Sequence, residues 1–169
     1  SIPHPAGVTV VEACDAQGML DAAQKALPAD IFIAAAAVAD WRLAKPAGQK
    51  MKKKAGVHTL TLELVPTVDV LAAIAKGPRR PSLVVGFAAE TEKLLAHARA
   101  KRLKKNCDWL LANDVSGGQV FGADDNNVTL LTAGGEESWP HASKTEVAEK
   151  LVEKIARHFA NPARKGKSA

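Results

Sequence analysis

Ile31-Phe32-Ile33-Ala34-Ala35-Ala36-Ala37-Val38-Ala39 is an unbroken run of nine apolar residues, and it stops at Asp40. A continuous run of this kind reads as a strand buried on both faces, the habit of strands in parallel sheets. In open α/β sheets, ligands collect beyond the carboxyl ends of such strands. Asp40 stands at that end, and ten residues later Lys50 opens the run Lys50-Met51-Lys52-Lys53-Lys54. An acceptor-only carboxylate followed by a lysine cluster suits a ligand with hydroxyls and several negative charges. Nucleotides have that chemistry.

The flanking sequence supplies the rest of the layers. Val8 to Glu12 reads as a short strand, and Asp15 as the cap of a helix with Met19, Leu20, Ala23, Ala26 and Leu27 inside, ending before Pro28. Leu43 to Gly56 reads as a loop or flap. The alternation of Leu60, Leu62 and Leu64 makes His58 to Val65 a half-buried strand. Thr67 is placed to cap a short helix that buries Val70, Leu71 and Ile74 and stops at Gly77-Pro78. Ser82 to Phe87 is a further apolar strand. A helix from Glu92 to about Lys105 should bury Leu94, Leu95, Ala98 and Leu103.

Asp108 to Ala112 is a short apolar strand that ends at Asn113-Asp114, and Ser116 to Asn127 is a Gly/Asp/Asn loop. Val128 to Thr132 reads as a late strand leading to a turn at Gly134-Gly135. Ser143 and Glu146 form a capping box for the last helix, with Val147, Ala148, Leu151, Val152, Ile155 and Phe159 as one stripe. Strands alternating with helices predict an α/β fold: a mainly parallel sheet between helical layers, one domain over residues 1–160. Residues 161–169 read as a disordered basic tail.

Composition narrows the function classes. The 169 residues are 47% hydrophobic and 24% charged, with four Phe, three Trp and no Tyr. That is a globular balance with a core of Ala, Val, Leu and Ile. No membrane-length run and no opening secretory signal is visible, so a cytoplasmic protein is expected. Cys14 and Cys107, far apart, read as inert packing residues, and the five histidines show no metal spacing. The net charge of +5 is gathered at Lys50–Lys54, Arg99–Lys105 and Arg164–Lys167, which favours phosphate-bearing partners. Scarce aromatics argue against a nucleic-acid-binding module. No Gly-x-Gly-x-x-Gly follows a strand, no Gly-Lys-Ser/Thr phosphate loop is present, and without Tyr a Tyr/Lys dehydrogenase pair is excluded.

Asp40, the stretch Gly86-Phe87-Ala88-Ala89-Glu90-Thr91 and Asn113-Asp114 end three apolar strands, so in a parallel sheet they share one rim. The small residues Ala34 to Ala37 would admit a flat ring against the backbone, or simply pack closely. Lys101 and Lys105, four apart, share a helix face that could hold phosphate or face solvent. Phe87 could cover a base or plug the core.

Taken together, Ala36-Ala37-Val38-Ala39-Asp40-Trp41-Arg42, Lys50-Met51-Lys52-Lys53, Val84-Val85-Gly86-Phe87-Ala88-Ala89-Glu90-Thr91, Lys101-Arg102-Leu103-Lys104-Lys105-Asn106 and Ala112-Asn113-Asp114-Val115 resemble the bacterial phosphopantothenoylcysteine synthetases. The resemblance runs from about Val8 to Phe159. It implies a Rossmann-like three-layer fold, a homodimer, and a phosphopantothenate–cysteine ligase of coenzyme A biosynthesis that uses CTP with Mg²⁺. In that family the carboxylate of 4′-phosphopantothenate attacks the α-phosphate of CTP, pyrophosphate leaves, and L-cysteine converts the acyl-cytidylate to an amide with release of CMP. A flavin decarboxylase domain often precedes the synthetase, and FMN would belong to that domain.

Carried over by motif, Ala34, Ala35, Ala36 and Asp40 would line the nucleotide site, with Asp40 near the ribose. Lys50 would bind the triphosphate as the catalytic lysine. Val68, Asp69, Val70, Leu71 and Phe87 would surround the base, and Lys101 and Lys105 would bind phosphates. The family often has Asn-Pro-Asp where this chain has Thr67-Val68-Asp69. The family's opening strand, Gly-rich turn and Ser-Asn-x-Ser-Ser-Gly segment have no counterpart after Ser1. The expectation is a chain that binds CTP better than it turns over. A dinucleotide-binding oxidoreductase domain is the alternative reading.

Overall fold

In chain order the elements are α1 (Ala16–Lys25), β1 (Ile31–Ala34), β2 (Trp41–Leu43), β3 (Leu64–Pro66), α2 (Val70–Ala75), β4 (Leu83–Glu90), α3 (Leu94–Lys105), β5 (Trp109–Asp114), β6 (Asp125–Thr132), β7 (Gly135–Ser143) and α4 (Lys144–Ala160). They are seen in a computed structural model that describes residues 4–45, 48, 52, 56, 59–90, 94–114 and 125–160. Lys50, Lys53, Lys54 and the tail 161–169 lie outside the described residues.

The main sheet has the order β1-β4-β5-β6-β7, and a separate ribbon pairs β2 with β3. β1, β4 and β5 run parallel, with Ala34 opposite Gly86 and Gly86 opposite Leu110. β6 and β7 continue the sheet antiparallel. Leu83, Val85, Trp109 and Leu111 point to one face, where Val147, Leu151 and Ile155 of α4 cover them. Val84, Ala88, Leu110 and Ala112 point to the other, under Ala75 of α2 and Ala98 of α3. Beside them, Ala16 and Leu20 of α1 close over Val70 and Ile74, with Phe32 of β1 beneath. This is a three-layer, Rossmann-like α/β arrangement whose centre is parallel.

Several expectations are corrected. The apolar run from Ile31 is a strand only to Ala34, because β1 has a single neighbour among the described residues. Ile33 is therefore 42% exposed, and Ala35–Ala39 leave the sheet as exposed chain. Val8–Glu12 forms no strand, since nothing in the described sheet pairs with it. Of the alternating leucines only Leu64 enters a strand, and Leu60, Leu62 and Leu64 are all exposed. Asp69, not Thr67, caps α2.

Helix faces also differ from the simple pattern. α3 buries Ala98 and leaves Leu103 70% exposed. Its inward stripe is instead Leu94, Ala98, Lys101 and Lys105, all at least partly buried. In α4 the buried line is Val147, Leu151 and Ile155, one contact per turn, so Ala148, Val152 and Phe159 rotate outward. Ser143 does form the reciprocal capping box, its N–H donating to Glu146 Oε2 at 2.7 Å and its Oγ accepting from Glu146 N–H at 3.2 Å. β6 begins at Asp125, inside the expected loop. The unexpected β7 is polar and carries Pro140, which a sheet tolerates at an edge.

Candidate functional site

α2 begins beside the carboxyl end of β1, and Gly86 is the reason it can come so close. A Cβ on Gly86 would stand 2.6 Å from Leu71 Cδ2 and 3.1 Å from Leu110 Cδ1. Without one, Leu71 lies directly on β4, at the level where Gly86 pairs with Ala34. Leu71, Gly86 and Ala34 are thus brought into one neighbourhood. Val70 is buried against Ala16, Leu20 and Ile74, so its side chain belongs to the core.

Asp69 holds the first turn of α2. Its Oδ1 accepts from Ala72 N–H at 3.0 Å, and its Oδ2 is ion-paired with Lys105 Nζ at the end of α3. Partial burial works to raise its pKa, but the Lys105 hydrogen bond, the Ala72 N–H and the nearby ammonium charges outweigh it and hold the carboxyl below its ordinary range. Two residues assigned separately to the nucleotide are therefore bonded to each other. Lys101 stands one turn earlier on α3 and is half-buried.

Asp40 is exposed, and its carbonyl accepts from Thr67 N–H at 2.8 Å, which ties the end of the apolar run to the approach to α2. The ribbon continues this link, with Trp41 opposite Pro66 and Leu43 opposite Leu64. Ala35 and Ala36 are exposed on the same connection. Phe87 is half-buried against the α4-side cluster, on the opposite face of the sheet from Leu71, Asp69 and Lys105. Lys50 lies outside the described residues, and Lys52 is exposed.

A cleft of about 800 Å³ opens between the start of α1, the chain Ala37–Ala39, the ribbon and Val68. Of its wall residues only Val68 belongs to the sequence-derived site, and three of the others carry polar or reactive groups worth naming. Arg42 presents a guanidinium whose hydrogen bond to Leu43 O is stretched to 3.5 Å. Thr67 Oγ1 is buried with no hydrogen-bond partner among the described residues. Cys14 is exposed there, which corrects its reading as a packing residue, whereas Cys107 is buried as expected. The Arg beside the Asp40 motif was a visible signal for the first; a hydroxyl with no partner becomes visible only in three dimensions.

A smaller hollow of about 420 Å³ lies at the other pole of the sheet, around Arg80, Arg102 and Asp108. Its arginines are used internally. Arg80 bonds Asp108 at 2.7 Å and Pro81 O at 2.9 Å, and Arg102 bonds Asp108 O at 3.3 Å. Among the described residues no group of three or more His, Cys, Asp or Glu could hold a metal ion, and no helix is long and apolar enough to cross a membrane.

Comparison with known proteins places this geometry in a family. The chain is 40% identical over 91% of its length to the coenzyme A biosynthesis bifunctional protein CoaBC of Vibrio cholerae, and 43% identical over 92% to that of Mycobacterium tuberculosis. It spans 39% and 40% of those two proteins. Among solved structures, it superposes on the C-terminal domain of a CoaBC protein with a TM-score of 0.72 at 30% identity, covering 95% of this chain and 70% of that one. Residues 1–159 match the DNA/pantothenate metabolism flavoprotein C-terminal domain, and the chain is a member of that family.

Proposed function

We propose that this chain is the synthetase unit of a phosphopantothenate–cysteine ligase of coenzyme A biosynthesis. The observation that carries the reading is the convergence at one sheet edge of Ala34, the Asp69-capped start of α2 and the half-buried Lys101 and Lys105. Similarity to the C-terminal region of the bifunctional proteins supports it. A CTP lies along this edge, with its ribose toward Asp40 and its phosphates toward Lys101, Lys105 and Lys50. The carboxylate of 4′-phosphopantothenate attacks the α-phosphate and pyrophosphate departs. The amine of L-cysteine then attacks the acyl carbon, giving the amide and CMP.

Such a reaction asks for positioning and charge neutralisation more than for a protein nucleophile. Lysines suit a departing pyrophosphate, and the Asp69–Lys105 pair keeps one of them pre-positioned until phosphate competes for it. Mg²⁺ would accompany the triphosphate. The described residues offer it no carboxylate cluster, so no step is assigned to it. FMN would belong to a decarboxylase domain if one precedes this chain, and it has no role in these steps. A homodimer forms through the apolar face of the ribbon, where Trp41 and Leu64 are 58% and 50% exposed.

Calorimetric titration with CTP and NADPH side by side tests the reading. CTP should bind and NADPH should not, and Lys50→Ala should weaken CTP binding about tenfold or more, the worth of a charge-assisted phosphate contact. NADPH binding with no CTP binding would replace the ligase with an oxidoreductase.

A further inference from the structure

We infer that Asp69 is a built-in competitor of the nucleotide: in the empty site its carboxylate occupies Lys105 as a phosphate would, so a triphosphate binds by displacing it and the lysine returns to Asp69 when the anion leaves. This rests on the ligase reading and deepens it, by naming what regulates the phosphate end of the site. One ion pair carries the argument. Asp69 Oδ2 meets Lys105 Nζ, and among the described residues this is the one ion pair that Lys105 makes. A carboxylate and a phosphate offer an ammonium the same partner, an anionic oxygen in a charge-assisted hydrogen bond. Lysine is a compact point charge with no planar fork to share between them, and two anions crowded onto it repel each other.

The fold lets this exchange proceed without dismantling α2. Consecutive residues hold both ends of that helix. Lys105 holds the start through Asp69, and Asn106 holds the end, its Nδ2 donating to Ala75 O at 2.9 Å. Asn106 closes α3 in the left-handed region, at a φ of 57°, and its carbonyl accepts from Arg80 Nη2 at 3.3 Å. An anion does not compete for that neutral amide bond. Asp69 Oδ1 accepts from Ala72 N–H at 3.0 Å whatever Oδ2 does, so the cap outlasts the loss of the lysine. The Asp69–Lys105 contact is also the exposed one of the two straps, and the Asn106 contact is partly buried. Exposed ion pairs are weak, so an anion that reaches Lys101 at the same time can replace this one.

The experiment is a double-variant cycle read by calorimetry, with CTP, inorganic pyrophosphate and cytidine as probes. Asp69→Asn keeps the cap and frees Lys105. It should tighten CTP and pyrophosphate about 3- to 5-fold, the worth of one exposed ion pair. Cytidine, with no phosphate to take the lysine, should stay within about 1.5-fold. Lys105→Gln should weaken CTP about tenfold or more. On that background, Asp69→Asn should move CTP by no more than about 1.5-fold, because the competition needs the ammonium.

A gain in CTP affinity that persists undiminished with Lys105→Gln would overturn the inference, leaving Asp69 as a repelling charge that acts without the lysine. Weaker binding of all three probes by Asp69→Asn would make the residue structural. Weaker CTP and pyrophosphate with cytidine unmoved would make the pair an aid to phosphate binding rather than a rival. In each of those cases wild-type CTP binding leaves the ligase reading standing. If the wild-type chain binds no CTP, both readings fall together.

Discussion

At the scale of single residues, Asp69 serves both a helix and an ion pair with one carboxylate. Replacing it by Asn keeps the cap acceptor, since Asn and Asp cap equally well, and removes only the charge. Because the native pKa is depressed, the pair's contribution is present above the unfolded value of 3.8 and is lost as pH falls below it. The side chains of Lys105 and Asp69 are 22% and 40% exposed, so the pair is worth no more than about 1 kcal/mol. Thermal melts should give Asp69→Asn a Tm a few degrees below wild type at pH 6, with the gap narrowing progressively as pH falls below 3.8. A gap of constant size across that acid range would assign the effect to the cap.

The same residue marks what was legible in the sequence. In the sequence, Asp69 points to the base through the motif and Lys105 to phosphate through the motif and its spacing from Lys101, and the two stand 36 positions apart. That they bond each other depends on the packing of α2 against α3. Arg42 and Thr67 belong to the same class: ordinary residues in the sequence whose guanidinium and hydroxyl are left under-used only by the folded arrangement.

Among elements, α2 depends most on its neighbours. Six residues make a helix too short to persist alone, and its position is set by Leu71 lying on Gly86. Gly86→Ala should force Leu71 or α2 outward, costing about 1–3 kcal/mol of overpacking and lowering Tm by a few to about ten degrees. CTP affinity should fall with it, because the Asp69 end of α2 moves. Unchanged Tm and CTP affinity would mean that Leu71 can swing aside within its rotamers.

Helix and strand periodicity found most of the long elements but not their rotation. α3 could turn either its leucines or its lysines toward the sheet, and the α2 contact through Asp69 selects the lysine face. β7 escaped detection because an edge strand has little to bury, and its polar composition resembles a turn. The stretch after Ala34 carried the opposite error: alanines are apolar, yet they bury too little surface to hold a strand that has one neighbour among the described residues.

For the whole molecule, the ribbon is the part least able to stand by itself. A two-stranded sheet is marginal in water, and this one turns Trp41, Leu43, Leu64 and Pro66 to one side. A second copy of the chain would cover that face by two-fold symmetry, each side chain counted twice. Leu64→Asp should therefore raise the dimer dissociation constant by roughly 10²- to 10⁴-fold, about the worth of two buried leucines. Light scattering after gel filtration reads the shift directly. A dimer unchanged by Leu64→Asp would place the interface elsewhere, and a wild-type monomer at high micromolar concentration would remove the dimer altogether.

Local composition by itself determined the α/β class, the parallel centre and the capping box of α4. Those depend on hydrophobic period and cap chemistry, both of which act within a few residues of chain. Tertiary structure decided which face α3 buries, that Asp69 and Lys105 pair, that β1 is short and has one neighbour among the described residues, and that Arg42 and Thr67 share a cleft. Each of these depends on groups far apart in sequence competing for the same surface, and only packing settles such a competition.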